Sequence, residues 1–391
     1  MIFVVAWYYL VVKLYDDSLS ANLLLWLSLA SITSLADLGV STAITGLLPK
    51  LDEIERSDFV LSVLPFYGLY MILISLASYI IINYFELIKP LGEYFFAPLI
   101  LYSFSLQFYL FGISILKGFL SFKAVSVFNI INTTSTYGFS ILAFYYYQNI
   151  YSSFIVLAIF SFLIVICLYL YIVKNEKPPF KFNSLGFSKF CMLLSKGISY
   201  FPQIFIGFFF THVIRFVTAF FLGSNPVIIV SFSFSVASRI HALFNSFIEV
   251  LFPLFSSRKI TVNMYSVQKS LWIFFILIYL PGICILAYFL DTKINGIMFN
   301  TVYFCLGTWL SIQLAPYFHY FNAQDESSLI SRISIYTLLL YLIIIGITLL
   351  FFQIDKESFS KTYLITNVLI YLVFIIYIKV NNLQPNISLK K

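Results

Sequence analysis

Residues 151–173 read YSSFIVLAIFSFLIVICLYLYIV, a stretch that contains no charged side chain. The hydrocarbon core of a bilayer is about 30 Å thick, and a helix of about 20 apolar residues crosses it. This stretch therefore predicts a transmembrane helix. Similar apolar runs lie at 1–14, 21–48, 59–84, 94–116, 124–147, 197–222, 227–251, 268–290, 297–321, 329–352 and 360–380. We predict an all-α integral membrane protein of about twelve spans, of which the first is short.

The composition indicates that lipid is the main solvent of the chain. Of its 391 residues, 61% are hydrophobic and 10% are charged, whereas in soluble domains roughly a quarter of all residues are charged. The net charge of +7 does not predict a nucleic-acid partner, because the charges lie in short gaps between apolar runs and form no basic face. The four cysteines show no CxxC spacing, so we expect no metal site, no disulfide and no cofactor.

The distribution of Lys and Arg predicts the orientation of the spans. The gaps after the even-numbered runs, together with the C-terminus, hold sixteen of these residues, and the gaps after the odd-numbered runs hold five. Because cytoplasmic loops are enriched in Lys and Arg, both termini are predicted to face the cytoplasm.

The positions of the runs also repeat along the chain. A shift of 204 residues brings runs two to six onto runs eight to twelve, and brings Pro49 onto Pro253. An even number of helices in each half makes the repeats parallel. The alternative is that evenly spaced helices look periodic without any repeat. We predict two six-helix lobes, 1–173 and 197–391, joined by a basic cytoplasmic linker at 174–196 that contains a short interfacial helix.

Two runs in the second half carry polar residues on one helical face. In run seven the face comprises Thr211, His212, Arg215 and Thr218. In run eight it comprises Ser231, Ser235, Ser238, Arg239, Asn245, Ser246 and Glu249, with His241 at its edge. Ionisable groups at bilayer depth are costly, so they usually face an interior cavity and mark function. The alternatives are a structural pair between Arg239 and an acid such as Asp37, and serines that only pack helices together.

Run two carries a matching face with Thr33, Ser34, Asp37, Ser41 and Thr45. The 204-residue shift places Asp37 on His241 and Thr45 on Glu249. Asp37 and Glu249 are therefore candidates for ion coupling or for pairing inside the lumen. In the competing interpretation, Asp37 ends or kinks its helix at the segment Asp37-Leu38-Gly39.

The sequence shows no catalytic motif. HExxH, GxSxG and the phosphate-binding loop are all missing, and the three histidines are far apart. We therefore expect a protein that is not an enzyme. The alternative is a membrane glycosyltransferase or polymerase with Asp16-Asp17 as its acid pair, which is disfavoured because the outer gaps are only a few residues long.

Several short segments resemble bacterial polysaccharide biosynthesis proteins, the Wzx-type flippases of lipid-linked O-antigen and capsule oligosaccharides. The first is LADLGVSTA at 35–43, whose Asp-Leu-Gly core is similar to a segment of that family. Further resemblances follow in the family's order at 116–118, 200–203, 250–253 and 321–324. The likeness covers essentially the whole chain and departs from the family at the N-terminus, where about half of a first helix is missing.

This resemblance implies the two-lobe fold of the multidrug/oligosaccharidyl-lipid/polysaccharide exporter (MOP) superfamily. It implies transport of undecaprenyl-diphosphate-linked oligosaccharide from the cytoplasmic to the periplasmic leaflet of the bacterial inner membrane. A polysaccharide polymerase and a chain-length regulator are the further partners we expect. Arg215 and Arg239 would bind the diphosphate, because arginine is permanently charged and has forked donors. Substrate binding would also involve His212, His241 and Asn245.

The alternative within transporters is a multidrug or small-metabolite antiporter of the same fold. Such a protein would need acidic residues in its cavity to bind cationic drugs. The deepest charges predicted here are cationic, which disfavours this alternative.

Overall fold

The computed structural model describes residues 33–84, 96–176, 185–248, 250–256, 264–291, 297–324, 326–351 and 357–380. It also describes the isolated positions 7, 10, 24, 25, 27, 28, 31 and 355. Apart from these isolated positions, the predicted first span and the first part of the predicted second span, up to residue 32, thus lie outside the described residues. The chain divides into two compact units, Met1–Phe208 and Phe209–Lys391.

The N-terminal unit begins with a 3₁₀ helix at Thr33–Asp37, followed by α1 (Val40–Leu47) and a 3₁₀ turn at Leu48–Lys50. Its further helices are α2 (Glu53–Tyr84), α3 (Phe96–Gly118), α4 (Phe122–Tyr147), α5 (Ile150–Glu176), α6 (Leu185–Ile198) and α7 (Phe201–Phe208). Helix α5 packs against α3 and α4, while α1 packs against α3 and α6. The core between α1, α2 and α3 includes Ile44, Val63, Tyr67 and Phe111.

The C-terminal unit begins with a π turn at Phe209–Val213. It continues with α8 (Ile214–Leu222), α9 (Ser224–Ile248), α10 (Leu251–Ser256), α11 (Met264–Phe274), a π turn at Phe275–Tyr279 and α12 (Leu280–Asp291). The last helices are α13 (Ile297–Ala323), α14 (Ser327–Phe351) and α15 (Ser358–Val380). Helix α13 is central, since it packs against α9, α10, α12, α14 and α15.

The helices follow the apolar runs because a backbone in lipid must satisfy its own hydrogen bonds. Run 124–147 corresponds to α4 and run 360–380 to α15, and the largest difference is at α2, which begins at Glu53 instead of 59. Many large apolar side chains on α5 and α14, such as Leu170 and Ile343, are exposed, as expected where lipid covers the surface. The prediction of an all-helical membrane protein is confirmed.

Seven helices among the described residues are long and apolar enough to cross a membrane. They are Ile54–Ala77, Ala97–Gly118, Tyr151–Asn175, Ser266–Ile285, Ile297–Ala323, Ser327–Thr348 and Ser358–Val380. Among the described residues, the apolar stretch of α9 is shorter, Pro226–Ser238. The π turn at Phe209–Val213 interrupts the α-helix in the predicted seventh span.

Helix α6 begins within the segment predicted as a linker, 174–196, ends two residues beyond it at Ile198, and packs against α1 and α2. Phe190 and Leu193 are buried, whereas Phe187 is 57% exposed. Lys189 reaches α2, where its Nζ lies 2.6 Å from Oδ2 of Asp58 and donates to Oγ of Ser62 at 3.2 Å. The helix is thus amphipathic, with one face packed on protein, and the half-exposed Phe187 lies at the edge of this contact, with its ring 5.7 Å from that of Phe66 on α2.

Candidate translocation site

The helix that carries Asp37 is broken directly after this residue. The 3₁₀ helix ends at Asp37, and α1 begins at Val40. Between them Leu38 has φ 46° and Gly39 has φ 83°, both in the left-handed region that favours glycine. A Cβ added to Gly39 would overlap the carbonyl oxygen of Gly197 at the end of α6. The interpretation of Asp37-Leu38-Gly39 as a helix break is therefore confirmed.

The Asp37 side chain is 7% exposed and accepts three hydrogen bonds. Its Oδ2 accepts from the Ser41 backbone N–H at 3.0 Å, and its Oδ1 accepts from the Ser41 hydroxyl and the Tyr67 hydroxyl, both at 2.9 Å. A carboxylate at this place satisfies an N–H at the start of α1 and interacts favourably with the helix dipole. Asp37 thus stabilises the restart of the helix.

Further polar contacts hold this break against α2 and α3. Tyr70 donates to the Ala36 carbonyl at 2.7 Å, and Thr45 donates to the Ser114 carbonyl at 3.2 Å. The ring of Tyr67 stacks on Phe111 at a centroid distance of 3.8 Å. Sequence reasoning assigned most tyrosines to interfacial belts and so missed Tyr67. The available signal was its position in the apolar middle of α2, away from either end.

Arg215 is a buried cation in the C-terminal unit. It lies on α8, is 3% exposed, and donates from Nη2 to Oγ of Ser235 on α9 at 3.1 Å. Among the described residues, Asp37 and Arg215 are the two charged side chains that are buried. The structure therefore brings together Arg215 of run seven and Ser235 of run eight, two members of the predicted polar faces.

His212 lies in the π turn that precedes α8 and is half-buried. Such turns are frequent at functional sites, because they shift the hydrogen-bond register and redirect the side chains that follow. The turn therefore sets the direction in which the side chains of the next residues, including Arg215, point from the helix axis. Nothing in the sequence pattern predicted it.

The polar face of α9 points into the protein over the part that is described. Ser231 and Ser235 are buried, and Ser238 is half-buried. The side chains of Arg239, His241 and Asn245, and the whole of Glu249, lie outside the described residues. Their assigned roles, and the structural pairing of Arg239 with an acid, stay predictions.

The structure adds polar contacts between α13 and α15 that sequence reasoning did not find. Ser311 donates to Oδ1 of Asn367 at 2.7 Å, and Ser360 donates to Oδ1 of Asn300 at 2.8 Å. Helical spacing of polar residues in both runs was the available signal. Within the part of the chain that is described, no cluster of His, Cys, Asp and Glu side chains could hold a metal ion.

No protein-family model and no curated protein sequence matches the chain. Solved structures do resemble it. A MATE protein in complex with MaL6 has a TM-score of 0.70 and 12% identity, over 97% of this chain and 92% of the other. An outward-facing multidrug resistance MATE family transporter of the MOP superfamily has a TM-score of 0.69 and 12% identity, over 96% and 92%. The eukaryotic MATE transporter AtDTX14 has a TM-score of 0.67 and 13% identity, over 96% of this chain and 91% of the other. The chain therefore has the fold of the MATE transporters, multi-pass membrane proteins of two lobes.

Proposed function

We propose that the chain is a flippase that moves a polyprenyl-diphosphate-linked oligosaccharide from the cytoplasmic to the periplasmic leaflet of a bacterial inner membrane. It would do so by alternating access and without changing the substrate covalently. The observation that carries this proposal is the buried guanidinium of Arg215, which contacts the serine face of α9 in a transporter fold.

A buried arginine favours an anionic substrate. Its charge is permanent, and in a medium of low dielectric constant it attracts an anion far more strongly than in water. Its forked donors match the oxygens of a phosphate, with which they form charge-assisted hydrogen bonds. A diphosphate headgroup supplies both the negative charge and the acceptors.

The environment of Asp37 supports the same conclusion. Both of its carboxylate oxygens accept hydrogen bonds from Ser41, and one also accepts from Tyr67. A cationic substrate would have to compete with these three donors for the carboxylate. Asp37 is thus engaged in its own helix break, whereas Arg215 carries the charge that suits a diphosphate.

The second candidate function is a multidrug or metabolite antiporter. The structures that share the fold favour it, since one of them is a multidrug resistance transporter. In that case Asp37 would exchange a proton or cation for the substrate. The two candidates differ in the sign of the charge that they bind.

The proposed partners follow from the substrate. The polyprenyl tail stays in membrane lipid, while the oligosaccharide passes through the lumen. A polymerase and a chain-length regulator of polysaccharide synthesis would receive the product on the outer side.

A binding experiment with the purified protein tests the proposal. We expect the protein to bind undecaprenyl diphosphate and not to bind the cation tetraphenylphosphonium. Arg215→Ala removes a buried charged donor and should weaken undecaprenyl diphosphate binding by about tenfold or more. Arg332→Ala is the matched control, because Arg332 is exposed on α14 of the same unit. Binding of the cation without binding of the diphosphate would favour the antiporter.

A further inference from the structure

Gln313 lies near the middle of α13, is fully buried, and has no hydrogen-bond partner for either amide atom among the described residues. Buried polar groups in native proteins are nearly always hydrogen-bonded, and each exception calls for an explanation. A carboxamide offers two N–H donors and one carbonyl acceptor. This side chain thus places both kinds of group, unused, inside a membrane-spanning helix.

The backbone next to Gln313 is also irregular in its hydrogen bonding. Pro316 lies inside α13 and has no N–H, so the carbonyl of Ile312 lacks its usual helical donor. The Gln313 carbonyl accepts a weak bond from Nε2 of Gln268 on α11 at 3.4 Å. Proline-interrupted helices in transporters commonly supply such backbone groups to a substrate or water cavity. One turn of α13 therefore concentrates polar groups that the helix itself does not use.

Two neighbouring polar side chains of α13, in contrast to Gln313, are hydrogen-bonded within the protein. Ser311 donates to Asn367, and Thr308 donates to the Cys305 carbonyl at 2.9 Å. Packing alone would be served better at position 313 by leucine or methionine, which fill a similar volume without a polar group to desolvate. The glutamine costs stability, and this cost is explained if the amide acts on a ligand.

We propose that the Gln313 amide binds the sugar part of the transported glycolipid, through its hydroxyl and acetamido groups. This inference rests on the proposed function and adds the residue that distinguishes a glycan from the bare lipid diphosphate. A hydroxyl donates and accepts, so it pairs with both ends of a carboxamide. A diphosphate only accepts and would leave the Gln313 carbonyl oxygen unpaired. A quaternary organic cation would leave both ends unpaired.

The test compares two probes on the purified full chain. One is the lipid-linked oligosaccharide fraction extracted from membranes of the native host, and the other is undecaprenyl diphosphate. We expect the wild type to bind the glycosylated lipid more tightly. Gln313→Met should weaken that binding by about tenfold through the loss of two hydrogen bonds, and should leave binding of undecaprenyl diphosphate unchanged.

A matched variant and a stability measurement complete the design. Leu314→Met changes the adjacent buried, apolar position and should alter neither binding constant. The midpoint of thermal unfolding of Gln313→Met should equal or exceed that of the wild type, because an unused buried amide is removed. If the amide had a purely structural role, its replacement would instead lower the midpoint of thermal unfolding.

The outcomes separate the two proposals. Equal binding of both probes by the wild type, unchanged glycolipid binding by Gln313→Met, or a lowered unfolding midpoint of this variant would each overturn the role of Gln313. The flippase proposal would survive those results. If the wild type binds neither probe, the flippase proposal itself is overturned, and the inference on Gln313 with it.

Discussion

The Tyr67 hydroxyl donates a hydrogen bond to Oδ1 of Asp37 at 2.9 Å, which links the middle of α2 to the break in the preceding span. The same oxygen accepts from Ser41 at the start of α1. The break is thereby fixed on both sides, by its own chain and by the neighbouring helix. The geometry explains why a charged residue is retained inside an apolar run.

The contact between Asp37 and Tyr67 should be measurable as a coupling energy. Asp37→Asn removes the charge that caps α1, and Tyr67→Phe removes one donor, so each should lower the free energy of unfolding by about 1 kcal/mol. Because the two groups touch, the double variant should be non-additive by about 0.5 kcal/mol or more. Unfolding of the four proteins in detergent checks this, and strictly additive effects would contradict the contact.

Gly39→Ala should be far more destabilising than replacement of a glycine that has an ordinary backbone conformation and open surroundings. A Cβ at this position meets a left-handed backbone and also the carbonyl oxygen of Gly197. The left-handed backbone alone costs about 1–2 kcal/mol, and the overlap adds to it. The yield of folded protein in membranes measures the effect.

Gly207 provides a control for Gly39 in the same unit. It lies in α7 with an ordinary helical backbone, and an added Cβ would meet nothing within 4 Å. Gly207→Ala should therefore leave the yield close to that of the wild type. Equal losses for the two variants would mean that the left-handed backbone and the close packing at the Gly39–Gly197 contact are unimportant.

Arg239→Ala should reduce surface polysaccharide in the native host. The residue is predicted to lie on the polar face of α9 that Arg215 contacts, and to share the binding of the diphosphate. Surface polysaccharide is measured at matched protein abundance, with Arg332→Ala as the control on an exposed arginine. Unchanged polysaccharide in the Arg239 variant would rule out its role.

The orientation can be tested by labelling single cysteines from outside intact cells. Cys167, Cys191, Cys284 and Cys305 are first replaced. The excess of Lys and Arg on one side predicts that a cysteine at Gln148, between α4 and α5, reacts with an impermeant maleimide. A cysteine at Lys196 should not react. The reverse pattern would place both termini outside.

Much of the fold followed from the sequence, because length and apolarity alone determine whether a segment forms a membrane-spanning helix. Helical periodicity also predicted which faces are polar, and the contact of Arg215 with Ser235 joins two of them. Periodicity does not reveal which helices are neighbours, so the role of Tyr67 was missed. The π turns depend on a shift of backbone hydrogen bonds that side-chain pattern does not record.

Gln313 shows a second limit of sequence reasoning. Its spacing in run ten is unremarkable for a buried or a lipid-facing residue, and a single glutamine in an apolar helix usually pairs with a neighbour. Only the three-dimensional contacts distinguish it from Ser311, which has such a partner. A buried polar residue becomes a candidate for ligand binding when the structure shows that its side chain has no hydrogen-bond partner among the described residues.

The most direct test of the flippase proposal is translocation in proteoliposomes. A fluorescently labelled lipid-linked oligosaccharide from the host is incorporated into the vesicles. Dithionite does not cross the membrane, so it quenches only the label in the outer leaflet, and the quenching of initially protected label measures translocation. The wild type should accelerate exchange between the leaflets, and Arg215→Ala should slow it by about tenfold or more at equal protein content. Exchange no faster than in protein-free vesicles, or an Arg215→Ala rate equal to the wild-type rate, would contradict the account.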